Sequence, residues 1–214
     1  YFKVFFIQQG GIHATGKERI NSLGNHLGIW DIGFSKDNGK YLLRLYLQHP
    51  FEDQSGARWL LNRFDGLYGI RIENRSHSSW INAINIEILN TMHQSGSKEV
   101  SESTYGWDDY YNHYIYLSGW TNKDQTIGTP LLTIGENIIR PWPHIENNRV
   151  KAMHFGIKGQ LSQRVSFRTL STISKNYGTY FDKDRSKELK IDYKFENPLM
   201  QYSGLFEFFI HNIF

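Results

Sequence analysis

Long stretches in which apolar and polar residues alternate one by one are the feature that most constrains the fold of this chain. Successive side chains of a β-strand point to opposite faces, so this pattern predicts strands with one apolar and one polar face. In 41–48, for example, Leu43, Leu45 and Leu47 share one face, and Arg44 lies on the other. The pattern occurs at 2–9, 28–35, 41–48, 64–73, 80–88, 152–162, 165–174, 189–196 and 205–214. Turn-forming residues such as Asp37-Asn38-Gly39 separate the segments, which favours an all-β chain.

The length of these segments and the position of their aromatic residues favour strands that cross a membrane. Several segments alternate over more residues than the usual strand of ~5–6. A tilted strand needs ~9–11 residues to cross a bilayer. Trp30, Tyr41 and Trp80 lie near segment ends, where the aromatic girdles of membrane barrels are found. The predicted fold is an antiparallel transmembrane β-barrel, or a large part of one. A soluble β-sandwich with an aromatic core is the alternative that the pattern leaves open.

Composition narrows the function classes. The mean hydropathy of -0.52 is that of a soluble protein, but a barrel is polar on average because half of each strand faces a wet lumen. The chain has no Cys, which excludes disulfides and zinc–thiolate sites. Its net charge of +3 is small and its Lys and Arg residues are scattered along the sequence, so no nucleic-acid partner is predicted. Because it begins inside a predicted strand and lacks a signal-peptide pattern, we expect 1–214 to be a single, truncated barrel domain.

The interval 93–150 differs from the rest of the chain. It has only short apolar runs between residues typical of loops, and a structureless loop of this length is usually functional or disordered. Its aromatic residues, including Trp107, Trp120 and Trp142, argue against disorder. The interval is therefore predicted to be a long ordered loop excursion that folds on or into the barrel.

The same interval carries a family resemblance. The run Asp108-Asp109-Tyr110-Tyr111-Asn112-His113-Tyr114-Ile115-Tyr116 is followed by Ser118-Gly119-Trp120-Thr121 and by Thr126-Ile127-Gly128-Thr129-Pro130-Leu131. Flanking pieces keep the same order: Phe64-Asp65-Gly66-Leu67-Tyr68-Gly69, His93-Gln94-Ser95-Gly96, Asn148-Arg149-Val150, His154-Phe155-Gly156-Ile157 and Asn176-Tyr177-Gly178-Thr179-Tyr180. Over about 60–180 this ordered set resembles the Wzi-like capsule assembly proteins, in the form found in Bacteroidetes.

The resemblance implies a location, a role and partners. It implies a large barrel in the bacterial outer membrane, with extra elements that plug the lumen. The implied role is to bind surface polysaccharide so that a capsule is assembled and stays attached. The implied partners are surface polysaccharide, outer-membrane lipid and, as an open alternative, other outer-membrane proteins. A porin-like channel, a structural subunit of an outer-membrane complex and a soluble carbohydrate-binding β-sandwich are the competing functions.

Candidate polysaccharide-binding residues come from the same excursion. Aromatic rings offer apolar faces for sugars, and neighbouring polar groups can hydrogen-bond to hydroxyls. The candidates are Trp107, Asp109, Tyr110, Tyr111, Asn112, Tyr114 and Trp120. The alternative for each ring is packing against the barrel wall. Gly119, Gly128 and Pro130 are interpreted as residues that bend the backbone.

No enzyme chemistry is predicted. Asp108 and Asp109 are adjacent, so in a strand they would face opposite sides and could not flank a glycosidic bond; a solvated or capping role is expected. His113 and His154 belong to no metal-like spacing and are expected to form hydrogen bonds. We therefore expect no catalytic residues, no metal and no cofactor.

Overall fold

The computed structural model describes residues 27–52, 62, 64–76, 80–95 and 108–211. The segment predicted at 2–9 lies outside these residues. The elements in chain order are β1 (Gly28–Asp37), β2 (Tyr41–Phe51), β3 (Gly66–Asn74), β4 (Ile81–Asn90), β5 (Thr121–Asn122), β6 (Gln125–Thr126), β7 (Thr133–Gly135), β8 (His144–Asn147), β9 (Val150–Ser162), β10 (Val165–Asn176), α1 (Tyr180–Leu189) and β11 (Leu199–Ile210).

Seven long strands form one antiparallel sheet in the order β1-β2-β3-β4-β9-β10-β11. The strands follow one another along the chain except between β4 and β9, where residues 91–149 are inserted. This insertion contains two small two-stranded sheets, β5-β6 and β7-β8. The prediction of an all-β antiparallel fold is confirmed, and the closed barrel stays a prediction.

The strand register places apolar residues on one face of the whole sheet. Directly opposed residues run across all seven strands in the row Ile32, Leu47, Tyr68, Ile88, Met153, Ile173 and Tyr202. Opposed residues of antiparallel strands point to the same side. We call this side the apolar face; its side chains in this row include Tyr68, 37% exposed, and Tyr202, 66% exposed.

The opposite side, the polar face, carries charged pairs. The adjacent row reads Gly33, Tyr46, Gly69, Glu87, His154, Thr172 and Ser203. Arg71 pairs with Glu73 at 2.5 Å, and Arg168 pairs with Glu207 across β10 and β11. The alternation in the sequence therefore separates the two faces as predicted in these strands.

Three glycines of the sheet lie under an aromatic ring of the neighbouring strand. The opposed pairs are Gly28 with Phe51, Gly69 with Tyr46 and Gly159 with Phe167. A Cβ on any of these glycines would lie 2.5 Å or less from the ring. Tyr46 uses this space to cross β3, and its hydroxyl hydrogen-bonds to Glu87 on β4. Such ring-over-glycine pairs help to fix strand register.

The prediction of a lipid-facing strand at 189–196 is wrong. Leu189 ends α1, and Lys190 caps it in the left-handed region with φ 55°. At the other end, the side chain of Thr179 accepts a hydrogen bond from the Asp182 amide, which is the usual N-cap arrangement. Phe195, one of the apolar residues that alternate in this segment, is only 6% exposed. Local capping thus overrides the alternation, and β11 begins at Leu199 instead of the predicted 205.

The connections between the strands are short at one end of the sheet and long at the other. Residues 38–40, 75–80 and 163–164 join neighbouring strands at what we call the turn end. Residues 52–65, 91–149 and 177–198 join strands at the opposite end, which we call the loop end. Within the described ranges, no helix is long and apolar enough to span a membrane.

Candidate functional site

The described parts of the long connections pack together at the loop end. We call residues 91–95, 108–149 and 177–198 the cap. The apolar core between the cap and the sheet consists of Tyr110, Tyr111, Leu132 and Ile145 of the cap and Val150 and Ala152 of β9, with Leu89 partly buried against it. Leu89 and Ala152 are opposed residues of β4 and β9 on the polar face. The cap therefore sits over the loop-end part of the polar face, and the apolar face stays open.

Two glycines make room for Tyr111 in this core. Tyr111 has φ 71°, and its amide donates to Glu52 Oε1 at 2.7 Å. A Cβ on Gly119 would lie 2.1 Å from the Tyr111 carbonyl oxygen, and one on Gly128 would lie 2.6 Å from the Tyr111 hydroxyl. Gly119 and Gly128 also have positive φ, 54° and 139°. They act as backbone residues that let the chain close around the tyrosine.

Asp65 ties the start of β3 to the cap. It is fully buried, and its carboxylate accepts hydrogen bonds from the His93 amide at 2.9 Å and the Gln94 amide at 2.7 Å. The Tyr110 hydroxyl donates to the same carboxylate at 3.0 Å and accepts from Asn62 at 2.7 Å. Burial raises the pKa of Asp65, and the amide donors partly oppose this effect. This arrangement is a structural anchor that brings 62, 65, 93–94 and 110 together.

Amide side chains connect the two halves of the insertion. Asn112 hydrogen-bonds to both backbone groups of Ile145, its Nδ2 donating at 2.8 Å and its Oδ1 accepting at 2.9 Å. Asn148 Nδ2 donates to Asp109 Oδ1 at 2.6 Å and to the Tyr110 carbonyl at 3.0 Å. These bonds join the start of the insertion to the strand that leaves it.

Asp108 and Asp109 lie outside any strand, so the strand geometry expected for them does not apply. Asp108 is 7% exposed and accepts from Ser95 Oγ at 2.8 Å. Asp109 accepts from Arg140 Nη2 at 2.7 Å. Both carboxylates help to hold the cap together; Asp108 is buried, so the solvated alternative is wrong for it, whereas the Asp109 side chain is 26% exposed.

A buried ion-pair cluster attaches α1 to the cap. Arg140, 9% exposed, lies between Asp109 and Asp182, with its Nε 2.9 Å from Asp182 Oδ1. His144 is fully buried; its Nδ1 contacts the Trp142 carbonyl at 2.8 Å and its Nε2 lies 3.4 Å from Asp182 Oδ2. Burial would raise the pKa of Asp182, but its hydrogen bond to His144 and the charge of Arg140 lower it overall.

The predicted polysaccharide-binding residues fall into different environments. Trp107 lies outside the described residues. Tyr110, Tyr111 and Asn112 are 1%, 9% and 5% exposed, so in this conformation their side chains offer little surface to a ligand. Asp109 and Trp120 are half-buried. Tyr114, by contrast, is 54% exposed.

Tyr114 belongs to an exposed segment that we call the tip, residues His113–Leu117. Tyr114, Ile115, Tyr116 and Leu117 are 43–54% exposed. His113 Nδ1 accepts hydrogen bonds from the Ile115 and Tyr116 amides, both at 3.1 Å. The His113 ring centroid lies 4.9 Å from the centroids of both tyrosine rings. The tip is thus an ordered, apolar and solvent-facing part of the cap.

Sequence reasoning missed most of the anchoring residues. Asp65, Arg140 and Asp182 are far apart in the chain and have no common spacing. Asp65 lies inside one of the pieces that carry the family resemblance, and that resemblance is the one signal that could have found it.

The described residues contain no group of three or more His, Asp or Glu side chains placed to hold a metal ion. In comparisons with protein-family models, curated proteins and solved structures, the chain has no match.

Proposed function

We propose that this chain is part of an outer-membrane β-barrel that binds surface polysaccharide at its loop end and keeps a capsule attached. The observation that carries the proposal is the apolar face, which stays exposed across all seven strands. Its large exposed side chains include Trp30, Ile32, Phe34, Tyr41, Leu45, Tyr68, Ile70, Ile72, Ile88, Met153, Ile173, Met200, Tyr202, Phe206 and Phe208.

The size of this face argues for lipid contact. Completing the burial of a half-exposed large apolar side chain gains roughly 1 kcal/mol, so the whole face represents on the order of 15 kcal/mol. That is as large as the entire stability of a typical domain, about 5–15 kcal/mol. An apolar face of this size must be shielded from water, and the hydrocarbon core of a membrane shields it without a second layer of protein.

The height of the face fits a bilayer. Phe34 and Leu45 are opposed residues in the middle of β1 and β2. Trp30 lies four residues from Phe34 toward the loop end, and Tyr41 lies four residues from Leu45 toward the turn end. At ~3.4 Å per residue and a tilt of ~40°, these two aromatics are about 21 Å apart along the membrane normal. Outer-membrane barrels have an apolar band ~25 Å tall with aromatic girdles at both edges.

The connections support the same orientation. Barrels of the outer membrane have short periplasmic turns and long extracellular loops. The turn end would then face the periplasm, and the cap would face the outside. The family resemblance, which centres on residues of the cap, supports polysaccharide as the ligand there.

A porin-like channel is the second candidate, because the polar face carries ion pairs such as Arg71–Glu73 and Arg168–Glu207. Charged lumen residues set selectivity in pores. The position of the cap over Leu89 and Ala152 speaks against a wide opening at the loop end.

Fractionation of cells that produce the protein tests the proposal. We expect it in the outer-membrane fraction, resistant to high-salt and carbonate washes and extracted by detergent. Loss of the protein should release polysaccharide from the cell surface into the medium. A monodisperse protein that needs no detergent would contradict the barrel, and unchanged surface polysaccharide would contradict the role in the capsule.

A further inference from the structure

We propose that the tip, His113–Leu117, binds uncharged sugar rings by stacking, so that the loop end recognises a neutral stretch of polysaccharide. This inference rests on the proposed function and deepens it by naming the contact surface and the ligand class.

Exposure distinguishes the tip from the other aromatic residues of the insertion. Tyr110 and Tyr111 are buried in the cap core, whereas Tyr114 and Tyr116 are 54% and 46% exposed. Aromatic rings bind sugars through the apolar C–H face of the pyranose, which requires an accessible ring face. One face of the Tyr114 ring stacks on His113, and the exposed parts of Tyr114 and Tyr116 provide the surface for such contacts.

The tip is also held in one conformation. His113 Nδ1 accepts from two backbone amides, and the Gly119 amide donates to the Tyr116 carbonyl at 2.7 Å. Gly119 itself is fixed by its close approach to Tyr111 in the cap core. A preorganised loop loses little conformational entropy when a ligand binds, so weak stacking contacts can contribute fully to affinity.

The charge around the tip selects the ligand class. From Tyr110 to Asn122 the sequence contains no Asp, Glu, Lys or Arg, and the next charged residues, Lys123 and Asp124, are neighbours of opposite sign in the turn between β5 and β6. Recognition of an acidic sugar would call for a nearby cation, usually Arg, to pair with the carboxylate. In this part of the cap, Arg140 is already paired with Asp109 and Asp182. The tip therefore fits neutral sugars better than uronic acids.

The experiment uses purified protein in detergent and immobilised polysaccharides of known charge: dextran and mannan as neutral probes, alginate and polygalacturonate as acidic probes. We expect binding to at least one neutral probe. The double variant Tyr114→Ala/Tyr116→Ala should lose about tenfold or more in affinity, whereas Tyr114→Phe/Tyr116→Phe, which keeps both rings, should stay within about twofold. Ile138→Ala, a 79% exposed residue elsewhere in the cap, serves as the control for loss of an exposed apolar side chain.

Two results would overturn the inference: binding to the acidic probes alone, or equal binding by the double alanine variant and the unaltered protein. Capsule retention measured with the same variants separates the two proposals. If capsule retention depends on the protein but not on Tyr114 and Tyr116, the proposed function stands and sugar binding by the tip is refuted. If capsule retention does not depend on the protein, both proposals are refuted.

Discussion

Replacing Phe155 by Arg is the sharpest test of the proposal that the apolar face contacts lipid. Phe155 lies near the middle of β9, opposite Ile86 of β4, on the apolar face. If this face contacts hydrocarbon, the guanidinium must enter the bilayer near its midplane, which costs about 2–4 kcal/mol in outer-membrane barrels. If the face contacts water, the same substitution should change the unfolding free energy by no more than about 0.5 kcal/mol.

Two control variants place the same Arg elsewhere on the sheet, one near the edge of the proposed membrane-spanning region and one on the polar face. Tyr41 is the first residue of β2 and lies on the apolar face at its turn end. This is where the aromatic girdle of a barrel lies, so Tyr41→Arg should cost only about 0–1 kcal/mol. His154→Arg puts the same charge on the polar face beside Phe155. It should cost about 1 kcal/mol, the value of the lost hydrogen bond to Thr172.

Equilibrium urea unfolding in lipid vesicles, followed by tryptophan fluorescence, gives the three values. The expected order of cost is Phe155→Arg first, with His154→Arg and Tyr41→Arg clearly below it. Equal costs at Phe155 and Tyr41 would refute the depth argument. A larger cost at His154 than at Phe155 would mean that the polar face is the buried one.

Further predictions concern the cap and are all measured by unfolding or limited proteolysis. Asp65→Asn should destabilise the protein by about 2–3 kcal/mol, because an amide nitrogen then faces a backbone N–H; no loss of stability would contradict the anchoring role. Gly39→Ala should lower the free energy of unfolding by about 1–2 kcal/mol, because Gly39 has a positive φ. Gly119→Ala should lower it more, because Gly119 also has a positive φ and its new Cβ would clash with the Tyr111 carbonyl oxygen. The lowered pKa of Asp182 means that its stabilising effect is complete above the unfolded pKa, about 3.9, and is lost as the pH falls through the folded pKa. In the unaltered protein, protease resistance around α1 should therefore fall below about pH 4, and in Asp182→Asn it should no longer depend on pH in this range. An unchanged pH profile in the variant would contradict the role of the Asp182 carboxylate.

The long strands of the sheet could be predicted from the sequence, because alternation over eight or more residues is typical of a strand whose two faces meet different surroundings. The segments predicted at 41–48 and 152–162 correspond to β2 and β9, with the apolar residues on the predicted side. The segment at 189–196 is an exception. Its alternation is as regular as that of β2, but an N-cap at Thr179 and a left-handed Lys190 place it in a helix end and a loop.

The candidate site was harder to predict, because exposure depends on which partners the tertiary structure supplies. Tyr110, Tyr111 and Tyr114 are equivalent in the sequence as aromatic residues of one run. In the fold, the Tyr110 hydroxyl hydrogen-bonds to Asp65 and Asn62. The Tyr111 ring lies close to Gly128, whereas Tyr114 stays 54% exposed.

The sequence by itself determined the period of the strands, their two faces and the position of the insertion, since these follow from the local order of apolar and polar residues. Only the tertiary structure decided which rings are buried, which carboxylates anchor the cap and which end of the sheet carries the long connections. Those properties depend on contacts such as Asp109–Arg140–Asp182, between residues up to 73 positions apart in the chain, and local sequence does not encode the geometry of such contacts.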